Sequence, residues 1–309
     1  MMKQENEITT IDIGEDYLLK KDHLLELLLQ DKTTDNNIIW ATDSYDSNGE
    51  LFAPTANITT DLITGALGSL IQPRALKSKT EQLYRTRDKA EVFTPLSIVK
   101  QMNDACDKKP VTKNNWQEYV SLLKLEITCG EAPFIVSRYD PVSDKQELLP
   151  LAERVGFLDK KLSVVSKYCK MQDEWLKWVK IAFQSSYGYE WQGDSLLIAR
   201  ENLLYTFIDF YQDKFKETPS TELQKEIAEI IVWNIFQMDG LKYVVPMSCK
   251  TETVTIKGIE TLFGKEDDRI VEKPCLGCEN KSAKNHNGTY VKIMNWEENK
   301  IIRFVDIVN

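Results

Sequence analysis

Leu125-Glu126-Ile127-Thr128-Cys129-Gly130-Glu131-Ala132-Pro133-Phe134 is the stretch on which the reading of this chain turns. Leu123, Leu125 and Ile127 alternate with Lys124 and Glu126, which predicts a strand over 122–128. Thr128-Cys129-Gly130 then signals a sharp turn, and an apolar segment follows. A strand ending in small residues lets the backbone approach a nucleoside-bearing ligand closely. On its own the pattern fits an ordinary β-to-α turn equally well.

Two segments further along strengthen the ligand reading. Tyr187 to Trp191 reads as a short strand with Glu190 at its end, where an acid can accept both hydroxyls of a ribose. Asn234 to Leu241 reads as a third strand-like piece carrying Asp239, an acceptor for an adenine amino group. Helices are predicted between and around them: one from Pro95 with Ile98, Val99, Met102 and Cys106 on a stripe, then 174–183, 195–215, and 221–235 with Thr221 as N-cap. Residues 107–118 read as a polar loop. Alternating strands and helices predict an α/β domain over 90–246 with a largely parallel sheet.

The flanks differ. Residues 1–89 form a helical and irregular N-terminal region. Tyr17 to Gln30 carries an apolar stripe (Leu18, Leu24, Leu25, Leu28, Leu29) on one amphipathic helix, with His23 as a structural residue in it. Asp43 to Asn57 reads as a solvated loop. Arg74, Lys77, Lys79, Arg85, Arg87 and Lys89 make the most cationic window, either a phosphate-contacting patch or a solvated helix face laced with Glu81 and Asp88. At the other end, 290–296 and 301–308 flank a polar turn and predict a hairpin.

Composition bounds the function. The chain has 309 residues, 42% hydrophobic and 28% charged, with a formal charge of −9. Such a chain can bury a core, and its acidity argues against strong binding of nucleic acid by this chain alone. No apolar run is long enough to span a bilayer, no signal-peptide pattern opens the sequence, and six cysteines suit a reducing cytoplasm.

Residues 247–309 form a small cysteine-containing β region. Cys275-Leu276-Gly277-Cys278 can present two thiolates to one metal. With Cys249 and His286 it makes a Cys3His set suited to a closed, structural zinc site, which would help a region with little core of its own to fold. The alternative is a loop with two free thiols, and the long gap from Cys249 to Cys275 is irregular for a compact finger.

In series, these segments resemble the N6-adenine DNA methyltransferases of type I and type IIG restriction–modification systems. Arg87 to Pro95, with Ile98 and Val99, is similar to their Phe-Thr-Pro segment; Leu125 to Phe134 to their Asp-Pro-x-Cys-Gly-x-Gly-x-Phe motif; Tyr187 to Leu203 to their Gly-x-Glu segment and following helix; Asn234 to Leu241 to their third motif. The likeness covers about half of the chain, from 90 to 245, in the family's order. It implies a Rossmann-like class I sheet with helices on both faces, and S-adenosylmethionine as cofactor. Phe93, Thr94 and Pro95 would line its methionine end, Glu126, Cys129, Gly130 and Phe134 would form the loop beneath it, Glu190 would hold the ribose, and Asp239 would meet the adenine ring. Here Glu126-Ile127 replaces Asp-Pro, Ala132 stands for the second glycine, and the stretch from Phe134 to Tyr187 is longer than a simple unit needs.

The family's Asn-Pro-Pro-Tyr motif, which holds the flipped adenine, occurs nowhere in this sequence, and Val305 to Asn309 falls near where the strand before it is expected. No residue is therefore assigned a catalytic role. The resemblance implies the cofactor half of a split, heteromeric adenine methyltransferase whose target-base half comes from a partner chain, with DNA reached through the complex. The alternative is a non-catalytic scaffold or cofactor sensor in a defence complex. No nuclease arrangement is evident for a third reading, an endonuclease subunit.

Overall fold

The computed structural model describes residues 11, 14–88, 94–107, 109–143, 146–257, 260–261, 264–265 and 269–308. The expected helix over 17–30 is two short ones, α1 (Glu15–Leu19) and α2 (Leu24–Leu29). Asp22 and His23 break it with φ of 46° and 64°. Aspartate tolerates this left-handed conformation because its side chain can bond locally. The stripe survives the break, since Leu18, Leu24, Leu25, Leu28 and Leu29 are all buried. His23 is no core residue: it caps α2 in solvent, with Nδ1 3.2 Å from Glu26. A short antiparallel pair follows, β1 (Gln30–Asp31) with β2 (Asn36–Asn37). Residues 43–57 form turns and short 3-10 segments, yet Tyr45 and Phe52 are buried against Trp40.

Three helices come next, α3 (Lys79–Asp88), α4 (Leu96–Cys106) and α5 (Trp116–Ser121). The stripe expected on α4 is only partly covered: Val99 is buried, whereas Ile98, Met102 and Cys106 are exposed. Helix α5 lies at the end of the expected loop.

The centre is a parallel sheet in the order β3 (Lys124–Glu126), β4 (Ser186–Glu190), β5 (Ile235–Gln237). Parallel neighbours need long crossovers. These are supplied by α6 (Phe157–Tyr168) and α7 (Gln172–Gln184) between β3 and β4, and by α8 (Gly193–Phe215) and α9 (Thr221–Asn234) between β4 and β5. The expected α/β class and parallel pairing are present, in a sheet of three strands. No helix follows the 125–134 loop directly; α6 begins only at Phe157. The N-cap of α9 is Ser220, whose hydroxyl accepts from Leu223 N at 3.3 Å, one residue before the expected Thr221.

Helix α8 is the axis of the core. Beyond the expected Leu196, Ala199, Leu203, Phe207 and Tyr211, it buries Leu197, Ile198, Leu204, Tyr205 and Ile208, so it is covered all round. Leu24, Leu28, Trp175 and Ile231 belong to the same core, so residues before 89 and after 90 pack together. The Arg200 guanidinium, fully buried, donates to the carbonyls of Ile235, Leu28 and Gln30 and so ties α2 to the start of β5. The cationic window is not a free face at its middle. Arg85 is buried and bonds Asp194 at 2.6 Å, and Lys77 is buried too.

After β5 the chain forms a ribbon, β6 (Glu252–Ile256) against β9 (Arg269–Lys273), with β7 (Glu260–Thr261) paired to β8 (Gly264–Lys265) between them. The short helix α10 (Leu276–Glu279) follows, and β10 (Lys292–Asn295) pairs with β11 (Lys300–Arg303) as the expected hairpin. That hairpin lies over β4 and β5, where Tyr189, Phe236, Ile293 and Phe304 share a second core cluster. Among the described residues no helix is long and apolar enough to cross a membrane.

Candidate functional site

Parallel strands place their carboxyl ends on one side, the side where ligands bind in open α/β sheets. Glu126 ends β3 and Glu190 ends β4, while Asp239 lies two residues beyond β5, whose Gln237 is paired with Glu190. The structure thus gathers the three acids singled out in the sequence at one end of one sheet. Thr94 and Pro95 stand at the start of α4, which is tied to the loop through Asn103: its amide donates to the carbonyls of Phe134 and Val155, each at 3.0 Å. Phe93 lies outside the described residues.

The loop itself is strained and closely packed. Thr128, Gly130 and Ala132 all have positive φ, at 46°, 54° and 63°. Threonine and alanine there cost roughly 1–2 kcal/mol each relative to glycine. The protein's own acids take up amides of this loop. Glu126 accepts from Phe134 N at 3.3 Å and Ile135 N at 3.0 Å. Glu190 accepts from Gly130 N at 2.7 Å, Trp191 N at 2.9 Å and Gln192 N at 3.2 Å. Gly188 makes the packing possible, because a Cβ there would lie 2.8 Å from Ile135 and 3.3 Å from the Cys129 sulfur.

Burial sets the electrostatics. The Glu126 carboxyl is pushed well above the usual carboxylate range by burial, and the Glu190 charge adds to this against the two amides. Glu190 is raised by burial against its three amides. Cys129 is raised well above an ordinary thiol by burial and then by both acids, so it is a neutral packing group and not a nucleophile. Asp239 accepts from Leu241 N at 3.0 Å and Lys242 N at 3.2 Å, and pairs with Lys242 Nζ at 3.3 Å.

The second constellation is a metal-binding geometry. The ligand atoms of Cys249, Cys275, Cys278 and His286 all lie within 4.8 Å of one another. His286 Nδ1 is 3.5, 3.5 and 3.6 Å from the three sulfurs. A tetrahedral zinc with Zn–S of ~2.3 Å and Zn–N of ~2.0–2.1 Å has N···S edges of about 3.6 Å. The donor set and its spacing fit that ion. Asn287 N donates to the Cys275 sulfur at 3.3 Å. Burial opposes ionisation of Cys275, yet that amide and its neighbours hold the thiol down to about 6. Cys249 is pushed up to about 12 by burial and by the two nearby thiols. The Cys249 thiol thus resists ionising beside its neighbours, a conflict that a divalent cation resolves.

The irregular gap between Cys249 and Cys275 has a structural cause. Pairing of Glu252 with Lys273 folds the intervening residues out as a ribbon and returns Cys275 to the side of Cys249. Gly277 is also part of the site. A Cβ on Gly277 would fall 2.6 Å from His286 Nδ1. Gly277→Ala is expected to weaken zinc binding by at least about tenfold, measured by competition with a chromophoric chelator.

Several groups that hold these sites had no local signal. Gln237 accepts from Ile39 N and donates to the carbonyls of Ile39 and Trp191, fixing the N-terminal segment over the strand ends. Lys242 is held by Asp239, whose charge and hydrogen bond raise the ammonium against the opposing effect of burial.

Comparison with protein-family models, with curated proteins and with solved structures gives no match to this chain.

Proposed function

We propose that this chain is the S-adenosylmethionine-binding subunit of a split N6-adenine DNA methyltransferase, in a cytoplasmic restriction–modification or phage-defence system. The observation that carries this reading is the placement of Glu126, Glu190 and Asp239 at the carboxyl ends of three adjacent parallel strands, in the order of the resembling motifs. In it, Glu190 takes the ribose and Asp239 the adenine ring, the three strands are part of a larger doubly wound sheet completed in the complex, and a second polypeptide brings Asn-Pro-Pro-Tyr and most of the DNA contacts. The Cys3His cluster holds a structural zinc, with all four positions taken by protein and none left for water.

Calorimetric titration with S-adenosylmethionine tests the reading. Saturable binding is expected, weakened at least tenfold by Asp239→Asn and abolished by Glu190→Ala. Glu190→Ala also frees the Gly130 amide, so Asp239→Asn is the cleaner variant. Absence of binding both to the chain and to its complex would overturn the reading.

One observation favours a second reading, a non-catalytic scaffold. Both Glu190 oxygens are already bonded to backbone amides, one of them twice. A ribose would have to displace the Gly130 amide to be held by two bonds. In the scaffold reading the acid serves only to close the loop, and no cofactor binds.

A further inference from the structure

The expected alternation in β3 is present with its faces inverted. Glu126 is buried at 8% exposure, while Leu123, Leu125 and Ile127 are 71%, 43% and 64% exposed. Strands of parallel sheets are ordinarily covered on both faces, and a bare apolar edge is normally blunted by charge or cover. Its charged residues are engaged elsewhere, Lys124 with Asp107 and Glu126 with the loop amides, and among the described residues nothing covers its edge. It is the edge of its sheet. Lys124 N bonds inward to Ser185 O at 3.0 Å, so the amides of Leu123 and Leu125, one residue out of phase, face the free edge.

The side chains tell the same story. Leu125 is in register with Tyr187 on β4, so both stand on one face of the sheet. The β10–β11 hairpin covers that face over β4, where Tyr187 donates to Met294 O at 3.0 Å, and stops short of β3. What remains is an open cavity of about 670 Å3 lined by Leu123, Leu125, Ile181, Met294, Trp296 and Ile302. Lys124, the only cation lining it among the described residues, is bonded to Asp107 at 2.6 Å. A phosphate would meet no uncommitted cation among the described residues there, and an apolar small molecule would leave the strand's backbone edge unpaired. An extended polypeptide satisfies both the edge and the face.

We propose that β3 is a docking edge, to which an extended segment of another polypeptide adds as a fourth strand with its apolar side chains beside Leu123, Leu125 and Ile127. The proposal rests on the split-enzyme reading only for the identity of that polypeptide.

The test places p-benzoylphenylalanine at position 123 in the full-length chain, in the cells that make it, and maps the crosslinked peptide. Hydrogen exchange is then compared between the free chain and the purified complex. The expected result is a heteromeric adduct on a segment of alternating apolar residues, with exchange at the Leu123 or Leu125 amide slowed at least tenfold. Leu123→Asp with Leu125→Asp should lose the complex while leaving the urea midpoint of the isolated chain unchanged, since both side chains are already in solvent. A homodimer adduct, no adduct, or an adduct without slowed exchange at these amides would overturn the proposal. The two readings fail separately. A strand-pairing partner without Asn-Pro-Pro-Tyr leaves the docking edge standing and removes the methyltransferase; cofactor binding without an edge partner does the reverse.

Discussion

Cys275→Ser is expected to remove bound zinc, from about one ion per chain to none by elemental analysis, and to open the segment from Cys249 to Tyr290. Structural zinc contributes roughly 10–16 kcal/mol of apparent binding free energy in small finger peptides, far more than other contacts of this region supply. The ribbon strands β6 and β9 are exposed along almost their whole length and bury little. An isolated two-stranded ribbon is marginal in water. The connections that remain are hydrogen bonds near the surface, such as Thr289 N to Ser248 Oγ at 3.1 Å, His286 N to the Tyr290 hydroxyl at 2.9 Å, and those of the Asn287 side chain with Lys250 and Glu252. Hydrogen exchange over 249–290 should therefore rise sharply in the variant, and with chelator in the wild type, while α8 and α9 stay protected. Cys106→Ser, at an exposed thiol far along the chain, serves as control and should change neither reading. Retention of one zinc by the Cys275 variant would show that the ion sits elsewhere.

Arg85→Ala is expected to cost about 3–5 kcal/mol of folding stability, read as a lowered urea midpoint, because it leaves a buried carboxylate without its cation. Asp194 is fully buried and accepts from Arg85 Nη2 at 2.6 Å, the Tyr45 hydroxyl at 2.7 Å and Ser195 N at 2.8 Å. Burial raises its pKa, but Arg85 and then Lys77 outweigh burial and hold the carboxyl at about 2. Its folded pKa is thus below the unfolded value near 3.8. The stabilisation is present above pH ~4 and is lost as pH falls toward 2, roughly 2 kcal/mol by linkage. Arg85→Ala should remove that acid dependence. Arg85→Leu with Asp194→Leu should be less destabilised than Arg85→Ala, since the buried carboxylate is removed together with the guanidinium that pairs it. Equal stability of Arg85→Ala and wild type at pH 7 would refute the account.

What the sequence revealed followed from local rules. The helices α8 and α9, the strands β4 and β5 and the terminal hairpin were legible because periodicity and turn residues act over short range. The Cys3His cluster was legible as a candidate metal site because its chemistry is distinctive, though not the ribbon that brings Cys249 to Cys275. The face of β3 was not legible. Alternation says that Leu123, Leu125 and Ile127 share a side, and only the reach of the β10–β11 hairpin decides whether that side is covered. Arg85 was hidden for a similar reason: its partner Asp194 is distant in sequence, so a charge that pairs internally reads as one that faces solvent. The break at Asp22 and His23 turns on backbone conformation, which the apolar stripe does not report.

The ribbon between Cys249 and Cys275 separates two lengths that are usually tied. Spacing along the chain and spacing in space are independent there, because each further pair of facing residues adds to the arm and nothing to the distance between its feet. The β6–β9 ladder can gain or lose such pairs while the two thiols keep their separation. The arm is in this sense a spar of adjustable reach on a fixed mount, free to vary its far end without disturbing the ligands at its base.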